Sequence, residues 1–271
     1  MLCKKTAFRF SALILAFLMM TACKTEELNA SGENNYTAPV LQEGKQELTV
    51  MTYNVKNCDN GEKISEIAED IQKYSPGVVC VQEIDMNVSR SGKRDVLKEP
   101  AEKVQMNYCF FPAIRLQGGT YGVGILSVYP LENCSLQPLD VRKGDEERVL
   151  ASAEITLNGQ TVHIYNTHLS YEDTEIRLQQ IQAVNTALSQ NKPFILTGDF
   201  NAESFGEFSY LSGVNAANTE DTPYQTYIGN DDTVFRSIDN IFVSDNFEIK
   251  EVKLGDTSAS DHQPLIAVIC L

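Results

Sequence analysis

Leu48-Thr49-Val50-Met51-Thr52-Tyr53-Asn54-Val55 opens a segment that closes on Val78-Val79-Cys80-Val81-Gln82-Glu83. Both runs are rich in β-branched residues, which favour extended backbone. Between them Ile64, Ile67, Ala68 and Ile71 recur at helical spacing within residues 62–74, and Ser75-Pro76-Gly77 stops the helix. Strand, amphipathic helix and buried strand make a βαβ-like opening. Further on, a short helix is expected near residues 101–105 and almost continuous strand over 108–168. Asn158-Gly159 is a hairpin turn between two alternating runs. A second helix over 174–190 should bury Leu178, Ile181, Val184 and Leu188, followed by a strand at Phe194-Ile195-Leu196-Thr197. Residues 202–231 are polar loops with one short helix, and strands resume at 237–243, 247–254 and 264–269. Apolar helices among this many strands fit an α/β (α+β) arrangement of two sheets packed face to face.

Polar clusters stand at the ends of these apolar runs: Asn54, Gln82-Glu83, Asn166-Thr167-His168, Gly198-Asp199-Phe200-Asn201, Ser237-Ile238-Asp239 and Ser260-Asp261-His262. Strand alternation puts Asn54 on the face of Val50 and Thr52, and Glu83 on the face of Val79 and Val81. A carboxylate after an unbroken apolar run is partly desolvated, so Glu83 suits a hard divalent ion; its bland alternative is an ion pair with a lysine. Asp199 and Asn201, two apart beyond Gly198, suit the orienting of a water and hydrogen bonding to a phosphoryl oxygen, or else a simple Asx turn. His262 with Asp239 as its carboxylate partner could be cationic toward a phosphate, and His168 could protonate a leaving group. His163, one face over, is given no role. Gly-x-Ser-x-Gly, Gly-x-x-x-x-Gly-Lys and His-Glu-x-x-His are absent, which leaves water as the nucleophile.

The formal charge is −15 with no basic run and no tryptophan, which disfavours extended nucleic acid. At the start of the chain Lys4, Lys5 and Arg9 precede an apolar stretch and Thr21-Ala22-Cys23, the pattern of an export signal over residues 1–22. It resembles a bacterial lipoprotein signal with Cys23 as the lipidated residue; ordinary secretion with cleavage near Ala22 or Ala30 is the alternative. Residues 23–46 read as a flexible tether and 47–271 as one catalytic domain. The expected location is therefore the envelope of a Gram-negative bacterium, with the membrane met only through the lipid. Five further cysteines show no metal spacing; a disulfide framework is not expected, although one bridge could form.

Seven motifs in order carry a resemblance: Thr52-Tyr53-Asn54-Val55, Val81-Gln82-Glu83-Ile84-Asp85, Tyr121-Gly122-Val123-Gly124-Ile125-Leu126-Ser127, Asn166-Thr167-His168-Leu169, Leu196-Thr197-Gly198-Asp199-Phe200-Asn201-Ala202, Ser237-Ile238-Asp239-Asn240-Ile241-Phe242 and Ser260-Asp261-His262-Gln263-Pro264-Leu265. Together they resemble the endonuclease/exonuclease/phosphatase superfamily. The resemblance implies a four-layer sandwich of two mixed β-sheets flanked by helices, and Mg²⁺-dependent phosphoester hydrolysis, with Mn²⁺ as a possible substitute. It implies Asn54, Glu83 and Asp261 at the metal, and Asp199 orienting water. Asn201 would donate to the phosphate, Asp239 would hold His262, His168 would be the second histidine, and Arg148 would face the phosphate. Two departures stand out: Lys56 where abasic-site enzymes have Asp, and Val123-Gly124 where many exported relatives have Asn-Ala. The expected substrate is a phosphorylated small molecule, a phospholipid headgroup or a nucleotide, acted on by a monomer. An exported nuclease and a non-catalytic binding lipoprotein are the alternatives. Arg90, Lys93 and Arg94 either grip a phosphate or sugar or are merely solvated.

Overall fold

Alternation along the strands sorts their apolar side chains into three layers. In the computed structural model, which describes residues 47–229 and 236–271, twelve strands form two six-stranded sheets. The expected signal and tether, residues 1–46, lie outside the described residues.

The first sheet runs in the order β11 (Glu248–Leu254), β12 (Leu265–Cys270), β1 (Glu47–Asn54), β2 (Val78–Met86), β4 (Gly119–Ser127) and β3 (Asn107–Leu116). The second runs β5 (Glu132–Leu139), β6 (Arg148–Leu157), β7 (Gln160–His168), β8 (Phe194–Asp199), β10 (Asp239–Ser244) and β9 (Val214–Ala216). Each sheet holds one parallel pair, β1–β2 and β7–β8, among antiparallel neighbours. A parallel pair needs a crossover, and α1 (Ile64–Tyr74) and α3 (Thr174–Leu188) supply the two. The short α2 (Lys98–Val104) leads into β3.

Val50, Cys80, Ile125, Ile164, Ile195 and Ile241 fill the layer between the sheets. Met51, Tyr53, Val79 and Val81 point the other way, under α1 and α2, where Ile67 and Ile71 meet them. Phe194, Leu196 and Phe242 face outward from the second sheet toward Ile181, Val184 and Leu188 of α3. Helix, sheet, sheet, helix is thus a four-layer sandwich, as the motifs implied.

One detail differs from the sequence reading, and two features add to it. Leu178 is only half-buried, and Arg177 and Gln180 are buried on α3 instead, because they reach polar partners the periodicity cannot see. The Arg177 guanidinium pairs with Glu207 at 2.7 Å and donates to the Ser170 carbonyl, while Ser170 N–H donates to Gln180. The residues after Asn54 do not leave the strand as an ordinary loop: Lys56 to Asn60 all have φ between 44° and 57°. Finally, Cys109 on β3 and Cys134 on β5 form a disulfide that ties an edge of one sheet to an edge of the other.

Candidate active site

The carboxyl ends of the two parallel pairs open on the same side of the sandwich. Parallel register sets His168 of β7 beside Asp199 of β8, and antiparallel register sets Asp239 opposite Asp199. Gly198 allows the close pairing here, since a Cβ at that position would lie 2.4 Å from the Thr167 carbonyl oxygen. From the first sheet β1 brings Asn54, β2 brings Glu83, and the turn before β12 brings Asp261 and His262.

Glu83 does not arrive by alternation. A regular β2 would turn it outward with Val79 and Val81, into the layer under α1. The β2–β4 register slips between Val81 and Ile84, and Glu83 takes φ 62°. Such a bulge re-aims side chains, and the Glu83 carboxylate meets the Asn54 amide at 3.1 Å. Asn166, on the facing sheet, braces the bulge: its amide donates to the carbonyls of Val81 (2.9 Å) and Gly124 (2.8 Å) and accepts from Gln82 (2.7 Å). Gln82 also donates to Thr52. Asn166 and Gln82 are therefore support between the sheets. Val123 is buried in the same inter-sheet layer.

The second half of the site is a chain of acids and imidazoles. Asp239 bonds His262 Nδ1 at 2.8 Å, and the Nε2 atoms of His262 and His168 stand 3.7 and 3.6 Å from the same Asp199 oxygen. Asn54 also donates to that oxygen at 2.9 Å, and Asn201 N–H donates to the other at 3.0 Å. Burial, then the Asp239 charge, pushes the Asp199 carboxyl up to about 7, against the opposing pull of His262. Burial alone would lower His262, but the charge and hydrogen bond of Asp239, with Asp199 and Asp261 adding to them, carry it up to about 10. His168 is pushed well below its ordinary value by burial and by the nearby charges of Arg148 and His262. One imidazole is thus cationic at neutral pH and its neighbour is neutral.

Glu83, His168, Asp199 and His262 line a cleft of about 830 Å³ with Lys56, Arg90, Tyr121, Glu146, Arg148, Tyr171, Asn201 and Asp261, while Asn54 and Asp239 are buried behind it. Asn201 side-chain nitrogen donates to the Leu169 carbonyl. Arg148 is 3% exposed, bonded to Glu146 at 2.7 Å and covered by the Tyr171 ring. Arg94 instead bonds Glu99, outside the cleft. His163 of β7 faces Glu154 of β6, away from the cleft lining. Lys56, Tyr121, Glu146 and Tyr171 carried no role in the sequence reading; Tyr121 stands inside a quoted motif and Glu146 two residues before Arg148, which is the signal that was there.

The donors suit a hard cation, with qualification residue by residue. Glu83 accepts only a neutral amide and makes no ion pair among the described residues. Asp261 is held by Lys56 at 2.8 Å, and the Asn54 oxygen accepts the Lys56 N–H. Asp199, Asp239 and His262 also lie within 4.8 Å of one another, a metal-like spacing. His262 Nδ1, however, is already bonded to Asp239 at 2.8 Å, which leaves only Nε2 for another partner. Glu83, a cleft-lining carboxylate whose partner is a neutral amide, is the more fitting place for positive charge.

Residues 51–262 match the model described as the Endonuclease/Exonuclease/phosphatase family. Among solved structures, an endonuclease/exonuclease/phosphatase from Beutenbergia cavernae is similar at 19% identity, covering 84% of this chain and 72% of that one, with a TM-score of 0.70. A family protein from Bacteroides thetaiotaomicron is similar at 19% identity over 83% of this chain and 98% of its own, TM-score 0.68. A mannosyl-6-phosphatase from the same organism gives 18% identity over 83% and 100%, TM-score 0.66. No curated protein matches the sequence.

Proposed function

The chain belongs to the endonuclease/exonuclease/phosphatase family, and on that premise we propose that it hydrolyses phosphoester bonds with the help of Mg²⁺, or Mn²⁺ in its place. Glu83 would hold the ion, with Asn54 and Asp261 beside it, and the ion would supply positive charge to the phosphoryl oxygens. The observation that carries the reading is one carboxylate, Asp199, faced by two imidazoles in opposite charge states.

With its carboxyl near 7, Asp199 is poised to accept a proton from an attacking water at neutral pH. His262, kept cationic by Asp239, offers an N–H and a charge to the phosphate. His168 is neutral, so the sequence expectation that it protonates a leaving group narrows to hydrogen bonding. Asn201 has an amide beside Asp199 and would donate to a phosphoryl oxygen. Arg148 lines the same cleft, where its charge is already matched by Glu146 at 2.7 Å.

A neighbour of the same fold is a mannosyl-6-phosphatase, which supports a small phosphomonoester as substrate. The charge of −15 speaks against a scavenging nuclease. The test is release of p-nitrophenol from mono- and bis-p-nitrophenyl phosphate with and without Mg²⁺. Activity that needs the ion and falls by at least about 10² in Glu83→Gln and His262→Ala supports the reading; activity untouched by both sinks it. Rapid degradation of DNA or RNA would favour the nuclease. The proposal extends to an exported lipoprotein anchored at Cys23, for which Cys23→Ser should move the protein from the membrane fraction to the soluble one.

A further inference from the structure

Beyond Glu83 the cleft has a second wall whose chemistry differs from that of the acid–imidazole chain. Arg90 is gripped edge-on by Asp85, with Nε and one terminal nitrogen 2.8 and 2.7 Å from the two carboxylate oxygens. Asp85 is fully buried, and Ser91 also donates to it, so this guanidinium is fixed in place. The Arg90 face lies 5.5 Å from the centre of the Tyr121 ring. On the other side Arg148 pairs with Glu146, and its face lies 5.9 Å from the centre of Tyr171. Tyr171 is 64% exposed, an aromatic surface held over an arginine at the mouth of the cleft.

Charge decides what such a wall can take. Each arginine is matched by its own carboxylate, so the wall has donors and acceptors in quantity but almost no net charge. A second phosphate or a carboxylate would need an arginine whose charge is not already neutralised. A neutral group with many hydroxyls needs donors and acceptors side by side, and its ring C–H face packs on an aromatic ring. We propose that the wall formed by Arg90, Tyr121, Glu146, Arg148 and Tyr171 binds a neutral polyhydroxylated group, so that the substrate is a sugar phosphate whose sugar lies along this wall. The inference rests on the phosphoester reading of the same cleft. Within it Glu146 accepts from hydroxyls, Arg90 donates its remaining nitrogen, and Tyr171 stacks on the sugar ring. Tyr121 was read from sequence only as a motif residue, and Arg90 either as a grip on a phosphate or sugar or as solvated; the fold sets them side by side.

Two measurements on the full-length protein test this. In the first, kcat/KM is compared for glucose 6-phosphate and methyl phosphate, which share the phosphate and differ in the sugar. The wild type should prefer the sugar ester, and Tyr171→Ala and Glu146→Gln should each reduce that preference about ten-fold, equivalent to about 1.4 kcal/mol. Tyr210→Ala, an exposed tyrosine away from the cleft, should leave the ratio alone. A ratio unmoved by both wall variants overturns the proposal, as does a stronger preference for a sugar bisphosphate. The second needs no turnover: saturation-transfer NMR with unphosphorylated glucose should show contact at the ring protons, lost in Tyr171→Ala. Absence of that contact in the wild type also overturns it. Glucose contact without cleavage of any phosphoester would instead defeat the hydrolase reading alone.

Discussion

The two parallel pairs, β1–α1–β2 in one sheet and β7–α3–β8 in the other, have the same topology and deliver their end groups in opposite ways. In β7–β8 the delivery is regular: register alone sets His168 beside Asp199, and β10 continues the row with Asp239. In β1–β2 it is irregular. A bulge turns Glu83 around, and a run of left-handed residues, Lys56 to Asn60, folds the chain back so that Lys56 meets Asp261. Left-handed backbone costs about 1–2 kcal/mol per ordinary residue. Here it is offset by hydrogen bonds from Lys56 N–H to Asn54, Asn57 N–H to the Glu83 carbonyl and Cys58 N–H to the Val55 carbonyl, with Cys58 buried under the sheet. The acid–imidazole half is built into sheet geometry, whereas the half proposed to hold a metal depends on local strain and on a brace from the opposite sheet.

The largest effect should come from the regular half. Asp199→Asn keeps the shape but removes the base, and activity should fall by about 10²–10⁴ while circular dichroism is unchanged. The same variant sharpens the comparison through pH. The folded-state pKa of Asp199, about 7, lies above its unfolded value, so ionising it weakens the fold as pH rises from about 4 toward 7. Asp199→Asn should therefore raise Tm more at pH 8 than at pH 4. An equal change at both pH values would deny the buried charge.

Next comes the brace. Asn166→Ala leaves the carbonyls of Val81 and Gly124 and the Gln82 amide without their partner, at about 1–3 kcal/mol. If Glu83 depends on that brace, metal affinity measured by calorimetry should drop along with stability. A stability loss with unchanged metal affinity would show that the bulge stands by itself.

Asp239→Asn should affect one histidine and spare the topology. His262 holds its proton because of Asp239, and its contribution to stability is full below pH 6.5 and lost as pH rises toward about 10. Removing the carboxylate should lower the His262 pKa in histidine NMR and shift that loss to lower pH; an unchanged titration would break the assignment. The smallest effect belongs to the exposed part of the left-handed run. Asp59→Gly places the residue suited to positive φ and should add up to about 1 kcal/mol without altering activity. A destabilised variant would mean that the run carries little strain.

How much of this was legible follows the same division. His168, Asp199, Asp239 and His262 could be read as one set because strand ends and motif order survive translation into register. The meeting of Glu83 with Asn54 was implied by the motifs, but the bulge that turns it away from Val79 and Val81 was not legible, since a bulge is a backbone event with no fixed residue pattern. The polar side of α3 was hidden as well: Arg177 reads as a surface residue until Glu207 and the Ser170 carbonyl are seen behind it. Arg90, Lys93 and Arg94 looked equivalent in sequence; only Arg90 lines the cleft, because Asp85 fixes it there, while Arg94 turns to Glu99.

By itself the sequence determined the helices, the runs of strand, the first βαβ unit and the acidic charge. Those depend on periodicity and composition, which are local. Tertiary structure alone decided the downward shift of His168, the direction of Glu83, the Lys56–Asp261 pair and the disulfide between sheets. Each of these depends on which groups meet across the sandwich, and burial and pairing energies are set by those distant neighbours rather than by the residues beside them in the chain.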